Sequence, residues 1–117
     1  MTLKQIITKH FPMKGYIALT LSPWVFIRED LKHCYSDRVE RHETTHALQQ
    51  VECLWLFFLI IYGLEYIIKL PLCDFNHSKA YRSISFEQEA YSSENEFFYN
   101  DFRKHYTWLK FVFNIKR

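Results

Sequence analysis

Residues 38–62 read RVERHETTHALQQVECLWLFFLIIY, and this stretch decides the fold. It contains neither Gly nor Pro, so it predicts one long helix that starts near Arg38 and can bend before Gly63. Asp37 and Glu40 have the spacing of a capping box, in which two side chains satisfy unpaired N–H groups at a helix start. Pro71 is predicted to end the helical region.

The sequence His42-Glu43-Thr44-Thr45-His46 in this helix is an H-E-x-x-H motif. The four-residue spacing puts both imidazoles on one face, about 6 Å apart at Cβ, so both can ligate one Zn²⁺ at about 2.0–2.1 Å. Glu43 can then take a proton from water as a general base without being a ligand, which is typical of metal-assisted hydrolysis. The alternative is a solvated helix face that carries two histidines by chance.

A catalytic zinc site needs a third protein ligand, and the second predicted helix, residues 83–106, contains Phe86-Glu87-Gln88-Glu89-Ala90-Tyr91. Here the chain resembles the gluzincin metallopeptidases, whose H-E-x-x-H helix is completed by a glutamate in an E-x-x-A pattern on a later helix. Glu87 with Ala90 matches that pattern. The resemblance therefore implies that His42, His46 and Glu87 bind zinc. Glu89 points about 160° round the helix and is the less favoured candidate.

The order of elements also resembles that of short bacterial zincin-like proteins, from an S-P-W-V-F strand through H-E-x-x-H to F-E-x-E-A-Y. This second resemblance indicates a family and not a substrate. The gluzincin resemblance implies a zinc-dependent metallopeptidase with Glu43 as the catalytic base and a peptide or protein as its substrate. In zincins the strand before the metal helix lies at an open sheet edge and pairs with the substrate, which here implies Trp24–Ile27. A purely structural strand is the alternative. Many gluzincins have an Asp after the Ala, whereas this chain has Tyr91, so the residue that orients the site is not assigned.

The remaining segments predict a single α+β, helix-dominated domain over residues 1–117. Residues 16–27, YIALTLSPWVFI, predict a β-hairpin that turns at Ser22-Pro23. Residues 28–36 and 73–83 are polar and predict loops. Ser83 or Ser85 is expected to cap the second helix, and residues 107–117 fit either a strand or a helix.

The apolar stretch from Cys53 to Cys73 contains only two charged residues, Glu65 and Lys69. At about 1.5 Å per residue it is long enough to cross a bilayer, but a single crossing would separate His46 from Glu87. Three arrangements remain: burial in the core, a shallow entry into one leaflet, or coverage by a partner such as a second copy. The sequence does not choose among them.

Composition excludes several classes of function. With 15 basic and 13 acidic residues the net charge is only +2, which makes nucleic acid an unlikely partner, although aromatic and basic residues alternate in residues 102–117. The cysteines Cys34, Cys53 and Cys73 are odd in number and lack C-x-x-C spacing, and no export signal is evident. We therefore expect a cytoplasmic protein, either free or peripheral or monotopic on a membrane.

A non-enzymatic membrane or assembly module with a structural or vestigial metal site is the alternative function.

The residue that stabilises the oxyanion in such a hydrolase cannot be chosen from the sequence. The residues with suitable chemistry are His77, Tyr81, Arg82, Tyr91 and His105.

Overall fold

A computed structural model describes residues 3–115 and has the helix-dominated α+β architecture that the sequence predicts. The strands are β1 (Lys4–Thr8), β2 (Ala18–Leu21) and β3 (Trp24–Arg28). The helices are α1 (Asp37–Glu52), α2 (Leu56–Leu72), α3 (His77–Ser83), α4 (Ser85–Ser93) and α5 (Tyr99–Phe102), with 3₁₀ helices at Glu29–Cys34 and Thr107–Phe111.

The three strands form one sheet in the order β1-β3-β2. The predicted hairpin is confirmed, because β2 and β3 pair antiparallel across the Ser22-Pro23 turn. β1 was not predicted, and it pairs parallel with β3. The expectation that Trp24–Ile27 forms an open edge is therefore wrong: β3 is the central strand, and its backbone is occupied on both sides. The edge strand next to α1 is β2.

The predicted long helix is broken at Cys53–Trp55, well before Gly63. Leu54 and Trp55 have φ of 53° and 55°, and the axes of α1 and α2 differ by 113°. Glu52, the last residue of α1, is held by the Arg103 guanidinium at 2.8 Å, while Phe58 of α2 packs on Phe86 of α4. These distant contacts, and no local helix breaker, determine where the chain turns.

The helix ends also differ from the capping predictions. Ser36, not Asp37, precedes α1, and its hydroxyl accepts from the Val39 N–H. Ser85 is the first residue of α4, and its N–H donates to the Glu65 carboxylate of α2 at 2.9 Å. A buried side chain from another helix therefore caps α4.

Two predicted loops contain helices, and the second predicted helix is divided. Residues 28–36 include the 3₁₀ helix Glu29–Cys34, and residues 73–83 contain α3, whose first turn is capped by the Asn76 side chain. The chain bends at Ile84 between α3 and α4, and again after Ser93. The tail forms the 3₁₀ helix Thr107–Phe111, while residues 116–117 lie outside the described residues.

Helix α1 lies between two apolar clusters. On the sheet side, Val25 and Ile27 pack with Ala47, together with Leu3. On the other side, Phe58, Ile84, Phe86 and Trp108 form the second cluster with Cys53. Each large apolar side chain buried there contributes about 1.5–3 kcal/mol. The polar middle of α1 is consequently held between two rigid layers.

No single helix within residues 3–115 is both long and apolar enough to cross a membrane. Helices α1 and α2 together meet the criteria of length and composition, but they are bent by 113° at their junction.

Candidate metal centre

The centre forms where α1 crosses α4. His42 and His46 lie one turn apart on α1, and Glu87 lies in the first turn of α4. Ala90 on α4 is fully buried. Small side chains let two helices pack closely, and the three polar side chains meet in the space between α1 and α4.

The three candidate ligand atoms form a nearly equilateral triangle. The Glu87 Oε1 atom lies 3.1 Å from both His42 Nε2 and His46 Nε2, and the two nitrogens are 3.2 Å apart. Ligand atoms bound to one tetrahedral zinc at about 2.0–2.1 Å are about 3.3 Å from one another. The triangle is thus the size that one such ion requires, and two imidazoles with a carboxylate are a donor set that zinc accepts.

Each histidine ring is oriented by a partner at its other nitrogen. His42 Nδ1–H donates to Glu94 Oε2 at 2.8 Å, and His46 Nδ1–H donates to Gln49 Oε1 at 2.8 Å. These bonds leave both Nε2 atoms directed at Glu87, as a metal site requires. Sequence reasoning missed both partners. The spacing along each helix could have indicated them, because it places each partner on the same face as a ligand. Gln49 follows His46 by three residues, and Glu94 follows Glu87 by about two turns.

Glu89 lies away from the triangle and forms part of its support. Its carboxylate accepts from Arg103 Nε at 2.6 Å and from Gln49 Nε2 at 2.9 Å. Because the Gln49 amide nitrogen donates to Glu89, its oxygen is free to accept from His46. Glu89 therefore fixes the orientation of Gln49 instead of competing with Glu87.

The second oxygen of Glu87 is also engaged. Tyr62 of α2 donates its hydroxyl to Glu87 Oε2 at 2.7 Å, and burial raises the pKa of this tyrosine well above its usual value. The phenol thus remains a donor at all ordinary pH. Glu87 is held by one oxygen and presents the other to the two histidines.

Without a metal, protons balance the charges of this cluster. Burial opposes the imidazolium form of His42, but hydrogen bonds to Glu87 and Glu94 outweigh it and raise the pKa of His42 to about 10. Burial likewise opposes ionisation of Glu87, but the two histidines outweigh it and hold its pKa well below the usual range. The carboxylates of Glu87 and Glu94 therefore favour positive charge next to them. Either a protonated histidine or a metal ion can supply that charge.

Glu43 lies beside the triangle in the wall of a cavity of about 320 Å³ that His46 and Glu87 also line. The Thr20 hydroxyl of β2 donates to Glu43 Oε1 at 2.7 Å. Burial raises the pKa of this carboxyl. The structure thus places the predicted base, in a fixed position, on the cavity side of the predicted ligands.

The cavity lies between α2 and the edge strand β2. The Arg28 N–H donates to Ile17 O, so alternate backbone groups, those of Ala18 and Thr20, face away from β3. Gln50 of α1 accepts from the Ser22 N–H and donates to Thr20 O, both at 2.7 Å. This side chain occupies one end of the strand edge and leaves the part at Ala18 beside the cavity.

The candidate oxyanion residues lie in different places. His77 and Tyr81 line the cavity, and His77 is fixed by hydrogen bonds to the Tyr16 and Tyr66 hydroxyls at 2.7 and 2.9 Å. Arg82 stacks on the Tyr91 ring at 4.3 Å. His105 is remote, because it contacts Glu52 at the far end of α1. The cavity therefore brings His77 and Tyr81 next to the candidate centre, and Tyr91 packs edge-on against the His42 ring, with the ring centroids 4.4 Å apart.

Comparison with protein-family models, with curated proteins and with solved structures yields no match.

Proposed function

We propose that this protein is a zinc-dependent hydrolase, specifically a metallopeptidase, in which His42, His46 and Glu87 bind the metal and Glu43 is the general base. The observation that carries the proposal is the triangle of ligand atoms with sides of 3.1–3.2 Å, buried and open on the cavity side where Glu43 lies. A zinc ion bound there would supply a Lewis acid that polarises a carbonyl and lowers the pKa of a water molecule.

The second support is the completeness of the surrounding contacts. Glu94 and Gln49 hold the two rings, Tyr62 holds Glu87, and Thr20 holds Glu43. Partners of this kind fix the tautomer and direction of metal ligands, and they are typical of functional sites. A chance pair of histidines on a solvated face would have no such set of buried partners.

A peptide is the proposed substrate because the cavity offers both backbone and side-chain contacts. The outward-facing groups of Ala18 on β2 can pair with an extended peptide, while the mostly apolar and aromatic cavity receives a side chain. Thr20 holds Glu43 from the same strand, so a peptide paired there would lie beside the base. His77 and Tyr81 are the candidates to stabilise the negative charge on the substrate carbonyl.

A non-enzymatic module with a structural metal site is the second candidate, favoured by the exposed apolar side chains of α2. Structural zinc sites are usually closed by four protein ligands. In residues 3–115 the group of side chains able to hold a metal has three members, His42, His46 and Glu87. A three-ligand group beside a cavity and a buried carboxylate favours catalysis.

The test combines metal analysis with hydrolysis of a quenched-fluorescence library of unstructured peptides. We expect one equivalent of Zn²⁺ in the wild-type chain and almost none in His46→Ala or Glu87→Ala. Glu43→Gln should retain the metal and lose hydrolysis, whereas Glu89→Ala should retain more metal than Glu87→Ala.

Three results would contradict the proposal. Well under one equivalent after zinc loading would remove the metal site. Loss of the metal in Glu43→Gln would make Glu43 a structural residue or ligand. A zinc-loaded wild-type chain that cleaves no peptide would favour the structural-metal module.

A further inference from the structure

Helix α2 has the reverse of the pattern expected for a surface helix. Between Cys53 and Cys73, its two charged residues, Glu65 and Lys69, are 8% and 4% exposed and pair with each other at 2.9 Å. The side chains that face outward from this segment are all apolar. The α2 outer face is defined here as Leu56, Ile60, Leu64, Ile67, Ile68 and Leu72.

This outer face is too apolar to be explained by packing within the chain. Its six residues are 46–66% exposed, and Trp55 and Phe57 beside its start are 46% and 55% exposed. Burial of apolar surface is worth about 25 cal/mol per Å², and large contiguous apolar patches are rare on monomers unless they bind something. This face is therefore a candidate binding surface.

The loop at residues 9–15 lies across the cavity from α2 and carries exposed apolar side chains and positive charge. Its Phe11 and Met13 are 43% and 68% exposed, and Lys9 and Lys14 are exposed beside them. The loop and α2 are opposite walls of the cavity, because Pro12, Met13, Leu59 and Tyr62 all line it. Tyr16, just after the loop, and Tyr66 of α2 both bond to His77, which holds the two walls together.

The loop itself carries only positive charge, on Lys9 and Lys14, and residues 1–28 contain no acidic residue. Arg28, which donates to the Pro12 carbonyl of the loop, is paired with the exposed Asp30 at 3.0 Å, so the two lysines supply the excess of positive charge. The exposed acidic residue next to α2 is Asp74, which follows its last turn. Apolar side chains flanked by lysines and by the aromatic residues Trp55 and Phe57 are the composition of elements that lie in the lipid headgroup region.

We propose that the α2 outer face and the loop at residues 9–15 bind the surface of an anionic lipid bilayer, with α2 lying in the plane of the interface. A second copy is a poorer occupant by charge, because an isologous contact would bring the lysine-bearing loop onto a surface with the same excess of positive charge. An anionic bilayer complements both the lysines and the apolar residues.

Because the cavity opens between the loop and α2, its mouth would face the lipid. If the proposed metallopeptidase function holds, the substrates are peptide segments at a membrane surface. The docking itself needs neither metal nor hydrolysis, so its test uses lipid binding alone and can fail independently of the enzyme.

The first experiment is sedimentation of the full chain with vesicles of phosphatidylcholine, with and without about one third phosphatidylglycerol. We expect binding to the anionic vesicles that weakens as salt is raised. Leu64→Glu with Ile68→Glu, both at exposed positions, should reduce the bound fraction at least tenfold. Phe102→Glu with Phe113→Glu is the matched control, since these residues are 82% and 97% exposed and the charge change is identical. Lys9→Gln with Lys14→Gln should lower affinity about fivefold per lysine for anionic vesicles only.

The second experiment needs no change on α2. In Trp24→Phe, Trp55 is the exposed tryptophan and Trp108 is 5% exposed, so brominated lipids should quench the fluorescence of Trp55. Absence of both vesicle binding and quenching would refute the proposal. So would equal binding by the α2 variant and its control. If the wild-type chain is a dimer that Leu64→Glu with Ile68→Glu makes monomeric and it binds no vesicles, the face is an interface between copies.

Discussion

Helices α1 and α2 are neighbours in the chain and have opposite surfaces. In α1 the buried side chains are mostly polar, among them His42, Glu43, His46, Gln49 and Gln50, and each of these five has a hydrogen-bonding partner. In α2 the exposed side chains are apolar. A polar group is stable inside only with internal partners, and an apolar face is stable outside only with an external one. The contrast thus separates a site completed by its own chain from a surface that needs a partner.

The largest loss of stability is expected from removing Arg103, the buried cation that pairs with two carboxylates of the polar interior. The Arg103 side chain is 2% exposed and pairs with Glu52 and Glu89, which are 3% and 1% exposed. Arg103→Ala removes the guanidinium that both buried carboxylates share, which we expect to lower the free energy of unfolding by about 3–5 kcal/mol. Chemical denaturation measures this. Lys104→Ala removes the same charge from an exposed neighbour and should change stability by less than about 0.5 kcal/mol. Equal effects would show that the Arg103 network contributes little.

The next prediction separates the inner and outer sides of α2 with adjacent residues. Phe58 is 5% exposed and Phe57 is 55% exposed. Phe58→Ala should cost about 3 kcal/mol of unfolding free energy, because it leaves a cavity against Phe86. Phe57→Ala should cost under about 0.5 kcal/mol. A large loss at Phe57 in a protein without lipid would mean that the outer side is already covered, most simply by a second copy.

Zinc should stabilise the folded chain by binding to the α1 side of this contrast. At a free concentration about 100 times Kd, linkage predicts an increase of about 2.7 kcal/mol in the free energy of unfolding, which chelation reverses. Thermal unfolding with and without zinc measures it. His46→Ala should abolish the increase, whereas His105→Ala, which changes an exposed histidine remote from the centre, should keep it. A response retained in His46→Ala would place zinc elsewhere.

A smaller effect is expected from the partners of the ligands. Glu94→Gln replaces the carboxylate that receives the His42 Nδ1–H, and zinc affinity should fall about 10- to 100-fold without a change in stoichiometry. Competition with a chromophoric chelator measures this. Glu96→Gln is the matched control, because Glu96 is exposed and lies outside the candidate centre, and its affinity should equal that of the wild type.

The smallest expected effect is a loss of stability at low pH. Burial opposes ionisation of Glu52, but Arg103 outweighs it and lowers the pKa of this carboxyl below its usual value of 4.5. A lowered pKa contributes stability above the unfolded value, and this is lost as the pH falls through the folded value. The free energy of unfolding should therefore decline below pH 4.5, and Glu52→Gln should show a shallower decline over the same range.

Sequence reasoning works here where the pattern is local. The spacing of His42 and His46 on one helix, and the strands on either side of Ser22-Pro23, depend on the geometry of a few consecutive residues. The candidate centre itself was predicted as a set, but only through a resemblance that linked Glu87 to a helix more than forty residues away. No local rule makes that link.

The errors arise where distant residues decide a local structure. The turn at Cys53–Trp55 contains no Gly or Pro. It follows from two distant contacts, the ion pair of Arg103 with Glu52 and the packing of Phe86 on Phe58. The cap of α4 comes from Glu65 of another helix. Glu94 was overlooked because its role depends on where α4 meets α1. Tertiary contacts of this kind override propensity and leave little trace in a short window.

The separation between His46 and Glu87 has a topological consequence. These two residues are 41 positions apart in the chain, yet His46 Nε2 lies 3.1 Å from Glu87 Oε1. An ion bound by both would therefore close a loop that contains all of α2. Closing a loop of this length in an unfolded chain corresponds to about 4 kcal/mol of lost entropy, which a disulfide would impose permanently. The ion would therefore act as a reversible cross-link between α1 and α4. If a protease cut α2, the two fragments would stay joined until a chelator removed the ion.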